Sequence, residues 1–150
     1  VSTLLSPGAE GAAAMARGDQ KRAVSHALVA AQQARTLGLP GAEVLHLAGA
    51  VRFGATSSLR AAHVVRIRNG FTSPVLRVLA DRIVATERAD PFGLMEAGEF
   101  YAARDNALEA TECALQAAAA ARQGDATTWR PSAICVRSSG RRDSTDSCRR

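Results

Sequence analysis

Aromatic side chains are scarce in this 150-residue chain: one tryptophan, one tyrosine and four phenylalanines, 4% of the residues. A core without them is assembled from many small contacts rather than a few large ones. Lysine is scarcer still, since Lys21 stands alone against eighteen arginines, which together with abundant alanine points to a GC-rich coding sequence. The three cysteines, Cys113, Cys135 and Cys148, form no C-x-x-C pair. An odd count without a signal peptide argues against a disulfide framework and leaves Cys113 as a small buried hydrophobe. No apolar run reaches the length of a membrane-spanning helix. The opening VSTLLSPGAEG lacks the basic region and hydrophobic stretch of a signal peptide, so a cytoplasmic protein without membrane contact is expected. The sequences G-x-x-x-x-G-K-[ST], G-x-S-x-G and H-E-x-x-H are all missing. Binding of nucleotide through a phosphate loop, catalysis and a bound cofactor or metal are therefore not expected.

What is present is a period. Turn-like pairs recur at Gly18-Asp19, Gly54-Ala55, Ala89-Asp90 and Gly124-Asp125, spaced by 36, 35 and 35 residues. Hydrophobic residues make up 47% of the chain, and alanine, the strongest helix former, carries much of that share. Alanine-rich segments between turns at this spacing predict an all-α fold of stacked, tetratricopeptide-like helical hairpins, about seven helices over residues 8–125. Such arrays bind and relay through a concave face.

The predicted helices cover residues 9–17, then from an Asp19 cap to 37, 42–53, and from a cap at Ser57 or Ser58 to 68. Two more open on Ser73-Pro74 and Asp90-Pro91, where a capping side chain precedes a proline suited to the first helical position, and the last covers 106–123. The second helix bears a small-residue stripe, Ala23, Ala27, Ala30, Ala31 and Ala34. Leu59, Ala62, Val64 and Val65 are expected inward on the fourth, the fifth bears an apolar ladder of Val75, Leu76, Leu79, Ile83 and Val84, and the sixth carries Leu94, Met95 and Tyr101. The structural repeat positions are Gly18, Ala23, Ala27, Gly54, Leu59, Leu94 and Gly124. Residues 126–150 depart from the pattern. They hold six arginines and two aspartates, a balance of +4 against +1 for residues 1–125, together with Trp129 and a helix-breaking Pro131. This segment reads as a disordered Arg/Ser tail, or as a GC-rich gene translated out of frame. With no further helix to cover it, the last helix should leave Leu108, Leu115 and its alanines exposed and promote self-association.

Glu43-x-x-His46 has the spacing of half a carboxylate-bridged di-iron site, but the second half needs another such motif. The other acidic pairs, Glu96/Glu99 and Glu109/Glu112, come without histidine. A helical metal site at Glu43 and His46 is the remotest reading, and His26 and His63 are expected to be polar contacts between helices. Arg60, Arg66, Arg68 and Arg77 gather around the Asn69-Gly70 turn as ordinary solvated arginines or as a contact patch. Arg60, Arg66 and Tyr101 are the expected partner contacts. The tail arginines support an alternative reading, a free-standing nucleic-acid-binding protein.

The segment GAAAMARGDQKRAVSHALVAAQQARTLGLPGAEVLHLAGAVRFG resembles the helical-repeat region of actinobacterial LuxR-type transcriptional regulators that carry an N-terminal signal-transduction ATPase module. The cues are Ala16-Arg17-Gly18-Asp19 opening a helix, Gly38-Leu39-Pro40 after it, and Val51-Arg52-Phe53-Gly54 ending the next. FYAARDNALEATECALQAAAAARQGD is similar to the last hairpin of that region. The resemblance covers about residues 8–125. It implies a repeat module that docks a protein or small effector beside an ATPase switch and a DNA-binding helix-turn-helix. This chain has neither the phosphate loop nor a helix-turn-helix pattern after Asp125. The expectation is therefore a fragment, or a truncated or frameshifted product, that reaches DNA only through a module it does not contain.

Overall fold

The computed structural model describes residues 6–128, with side chains over 9–124. Among the described residues the chain is all-helical. Its helices are α1 (Ser6–Ala16), α2 (Gln20–Thr36), α3 (Pro40–Arg52), α4 (Ala61–Arg68), α5 (Pro74–Glu87), α6 (Pro91–Ala102) and α7 (Ala107–Thr128). The seven-helix expectation holds, whereas the expected tail from residue 129 onward lies outside the described residues. None of these helices is long and apolar enough to cross a membrane.

One turn is used five times. Gly18, Gly38, Gly54, Ala89 and Asp105 all take a positive φ of 51–97°. After each, the next N–H reaches back to a carbonyl five residues earlier: Asp19 to Ala14, Leu39 to Ala34, Ala55 to Ala50, Asp90 to Ala85 and Asn106 to Tyr101, at 2.9–3.1 Å. This is the Schellman arrangement, which satisfies the open carbonyls at a helix end and reverses the chain. The recurring turns at Gly18, Gly54 and Ala89 thus belong to a denser series, because Gly38 and Asp105 close helices in the same way. Asp19, Ser73 and Asp90 then cap α2, α5 and α6, each accepting from backbone N–H groups two or three residues on.

Two local expectations are corrected. Gly124 is not a turn, for α7 continues through it to Thr128. The alanine run before it has high helix propensity, and one interior glycine costs only about 1 kcal/mol. The start of α4 is also different. Ser58 and Arg60 both adopt left-handed φ, 63° and 58°, and Arg60 caps without a side-chain bond. The Glu87 carboxylate at the end of α5 does the capping, accepting from the N–H groups of Leu59 (2.8 Å), Arg60 (3.2 Å) and Ala61 (2.5 Å). With the start at Ala61, Ala61 and Val64 point inward, while Ala62 and Val65, both expected inward, are exposed. Val75 of the α5 ladder and Met95 of α6 also face outward.

Sequential helices pack as α1 on α2, α2 on α3, α4 on α5, α5 on α6 and α6 on α7. Across the stack, α3 lies against α5, and α5 touches α7. The odd-numbered helices α3, α5 and α7 therefore form one continuous layer, backed by α2, α4 and α6. The main core lies between α2, α3, α4 and α5, around Val44, Leu47, Val51, Leu59, Val64 and Ile83. The alanine stripe of α2 is buried throughout. Where α6 meets α7, Gly98 allows the close approach, since a Cβ there would stand 3.2 Å from that of Cys113.

Candidate binding groove

The α3–α5–α7 layer carries a groove of about 190 Å³ lined by Leu45, Ala48, Gly49, Arg52, Leu79, Arg82 and Glu109. Leu45 forms an apolar lip, 56% exposed. Gly49 sits inside α3, and a Cβ added there would meet nothing within 4 Å. The helical glycines Gly11, Gly93 and Gly98 have neighbours at 3.0–3.3 Å from that point and Gly41 has one at 3.7 Å, while Gly124, near the end of α7, has none within 4 Å. Gly49 thus gives up about 1 kcal/mol of helix propensity with no packing inside the chain to account for it.

One wall of the groove is ionic. Arg82 of α5, 3% exposed, donates from its three guanidinium nitrogens to Glu109, to Glu112 at 3.2 Å and to Gln116 at 3.1 Å, all on α7. Arg52 of α3 meets the same two carboxylates, at 3.4 Å to Glu109 and 3.1 Å to Glu112. A cation buried this deeply is tolerated only when its donors are satisfied, and two carboxylates with an amide do that. Burial works against the charged guanidinium, but the surrounding acids outweigh it and hold the Arg82 pKa above its ordinary value. Behind this wall, burial pushes up the pKa of the Cys113 thiol and of the Tyr101 phenol. The Tyr101 hydroxyl is buried without a hydrogen bond of good geometry, although Arg82 is near enough to bias it electrostatically.

The residues expected as partner contacts do not come together. Tyr101 is 5% exposed, packed edge-on against Phe100 at 5.6 Å between ring centres, so it serves the core. Arg60 borders a separate small cleft with Ser58, Glu43 and Gln32, and Arg66 is exposed on α4. The rest of the arginine patch is tied down: Arg68 makes a two-pronged pair with Asp81, one prong at 2.8 Å, and Arg77 donates to the Phe71 carbonyl at 2.6 Å. Ala23, Ala27, Leu59 and Leu94 are all buried, and Gly18 and Gly54 are turn residues.

Glu43 does not act with His46. It is 3% exposed, and its Oε2 lies 3.1 Å from Nε2 of His63 on α4. His46 is half-buried, and burial lowers its pKa. Among the described residues no three metal-ligating side chains cluster. His26, expected as a contact between helices, places Nδ1 3.1 Å from Glu10 of α1. The buried ion cluster was missed from sequence. Its signal was an arginine within the apolar ladder of α5, at the third position after Leu79, opposite two glutamates spaced to share one face of a helix.

Compared with protein-family models, curated proteins and solved structures, the chain matches none.

Proposed function

We propose that this chain is a non-catalytic helical-repeat module of a LuxR-type transcriptional regulator, cytoplasmic, which docks a partner protein in the groove of its odd-numbered helices. The observation that carries the docking part is Gly49, a mid-helix glycine facing open space on the floor of that groove. A side chain inserted by a partner accounts for a glycine that the chain's own packing does not require. The volume favours a protein over a small effector, since small-ligand pockets usually run to about 300–1,000 Å³. A groove of about 190 Å³ with an apolar lip and the Arg52–Glu109 pair at one end suits one apolar anchor side chain flanked by polar groups.

Gly49→Leu tests the docking reading, because it fills the groove from outside and removes the glycine penalty. Peptides selected from a random library on the native chain should share an apolar anchor and bind the variant at least ~30-fold more weakly, about 2 kcal/mol. Equal binding to both would place the contact elsewhere. The family part is tested by the flanking DNA. A phosphate-loop ATPase encoded upstream and a helix-turn-helix downstream, in any frame, are expected, and the absence of both would overturn it.

A further inference from the structure

Among the described residues two charged side chains are buried, Arg82 and Glu43, each 3% exposed. Arg82 has a partner for every guanidinium nitrogen. Glu43 is only half satisfied. Its Oε2 lies 3.1 Å from Nε2 of His63, and its Oε1 makes no hydrogen bond among the described residues. The side chain lines a cleft of about 220 Å³ between α2, α3 and the turn ahead of α4, and Arg60 lies on the same wall. Arg60 is exposed, and its guanidinium makes no hydrogen bond or ion pair among the described residues. An unpaired anion and an unpaired cation thus share one cleft without pairing to each other. We infer that this cleft binds a free α-amino acid with a short aliphatic side chain, its ammonium on Glu43 and its carboxylate on Arg60.

Charge selects this ligand. A carboxylate accepts at both oxygens, and a bare one in the interior is costly, so Oε1 favours a cationic donor. The place of Glu43 in the first turn of α3 supports its negative form through the helix dipole. A lone ammonium would meet the like charge of Arg60 in the same cleft. A zwitterion satisfies both groups, because its carboxylate matches the planar guanidinium fork. The Arg60 backbone is fixed at the mouth, with φ at 58° and its N–H donated to Glu87. Between the two charges the bed is apolar, formed by Leu28 and Ala31 of α2 and Leu47 of α3. The volume lies below the ~300 Å³ at which sites for drug-sized ligands begin, which leaves room for a molecule of few atoms. This cleft and the groove at Gly49 have no lining residue in common, so each can fill while the other is occupied.

Titration of the full-length chain with L-alanine, L-valine and L-leucine, followed by amide shifts in NMR, should show one saturable site with the largest shifts around Glu43 and Arg60. Two analogues of L-valine separate the charges. Isobutylamine lacks the carboxylate, α-hydroxyisovalerate lacks the ammonium, and each should bind ~10-fold or more weakly than L-valine. Arg60→Gln changes an exposed side chain that holds nothing else in place. It should weaken L-valine by ~10-fold or more without weakening isobutylamine. Glu43→Gln should weaken L-valine and isobutylamine alike, with helix content followed by circular dichroism. Should that variant misfold, the Arg60 variant and the two analogues carry the test. Gly49→Leu, which fills the other groove, should leave amino-acid binding unchanged. The inference is overturned if none of the three amino acids binds, or if α-hydroxyisovalerate binds as well as L-valine. It is equally overturned if Arg60→Gln leaves the affinity for L-valine unchanged or raises it.

Discussion

The two ends of the stack are held by different forces. Between α1, α2 and α3 the buried contact is made by alanines and short aliphatics: Ala23, Ala27, Ala30, Ala31 and Ala34 are buried, facing residues such as Val44 and Leu47, while the Glu10–His26 contact lies at the exposed edge. Between α5 and α7 the contact depends on Arg82, which donates from each of its three guanidinium nitrogens, to Glu109, Glu112 and Gln116. Small apolar contacts tolerate sliding, because each is weak and non-directional. A buried guanidinium among carboxylates does not, because leaving any member alone is expensive. The same hairpin architecture is thus adjustable at one end and fixed in register at the other.

The largest effect should come from breaking the ionic end. Arg82→Ala leaves Glu109 and Glu112 half-buried with Arg52 as their remaining cation and should cost about 3–5 kcal/mol. Urea denaturation reads the loss. The labelling rate of Cys113, fully buried in the native chain, reads whether α7 has detached. Next comes the alanine end, where Ala30→Leu overfills a site with no exposure and should cost about 1–3 kcal/mol. A neutral Ala30→Leu would mean that this end is loose enough to repack. A smaller effect, about 1 kcal/mol and of opposite sign in the two halves, is expected for glycine to alanine. Gly18→Ala destabilises because φ is +77°, and Gly124→Ala stabilises because that glycine is helical and an added Cβ meets nothing within 4 Å. Equal signs in thermal melting would contradict the assignment of Gly124 to the helix.

The smallest effect is expected from alkali. Burial raises the pKa values of Cys113 and Tyr101 above their ordinary values of 9.0 and 10.0. The unfolded chain therefore ionises first, and the stability these groups provide is complete below pH 9.0 and is lost as pH rises through their folded values. Both lie where α6 meets α7, so melting at high pH should start at that end, and hydrogen exchange should show α7 opening before α2.

What was legible in the sequence was local. Asp19, Ser73 and Asp90 bond backbone groups two or three residues away, and Gly18 and Gly54 satisfy the turn they sit in, so residue type and spacing were enough. The alanine stripe of α2 followed from helical periodicity alone. What failed was non-local. Glu43 takes its partner from twenty residues on, at His63, rather than from His46. Arg82 finds Glu109 and Glu112 twenty-seven and thirty residues away. Tyr101 was expected at a partner contact, whereas the packing of α6 on α7 buries it beside Ala97 and Cys113. Spacing cannot report a contact that exists only after two helices have met.

The cap of α4 has a consequence in time. The helices α2, α5 and α6 each carry their own starting signal just ahead of them. α4 borrows its signal from Glu87, twenty-six to twenty-eight residues further along. During synthesis α2, α5 and α6 emerge just after their own caps, while α4 must wait for the whole of α5 to be made. The two halves of the stack are thus joined by a carboxylate that arrives late in the chain.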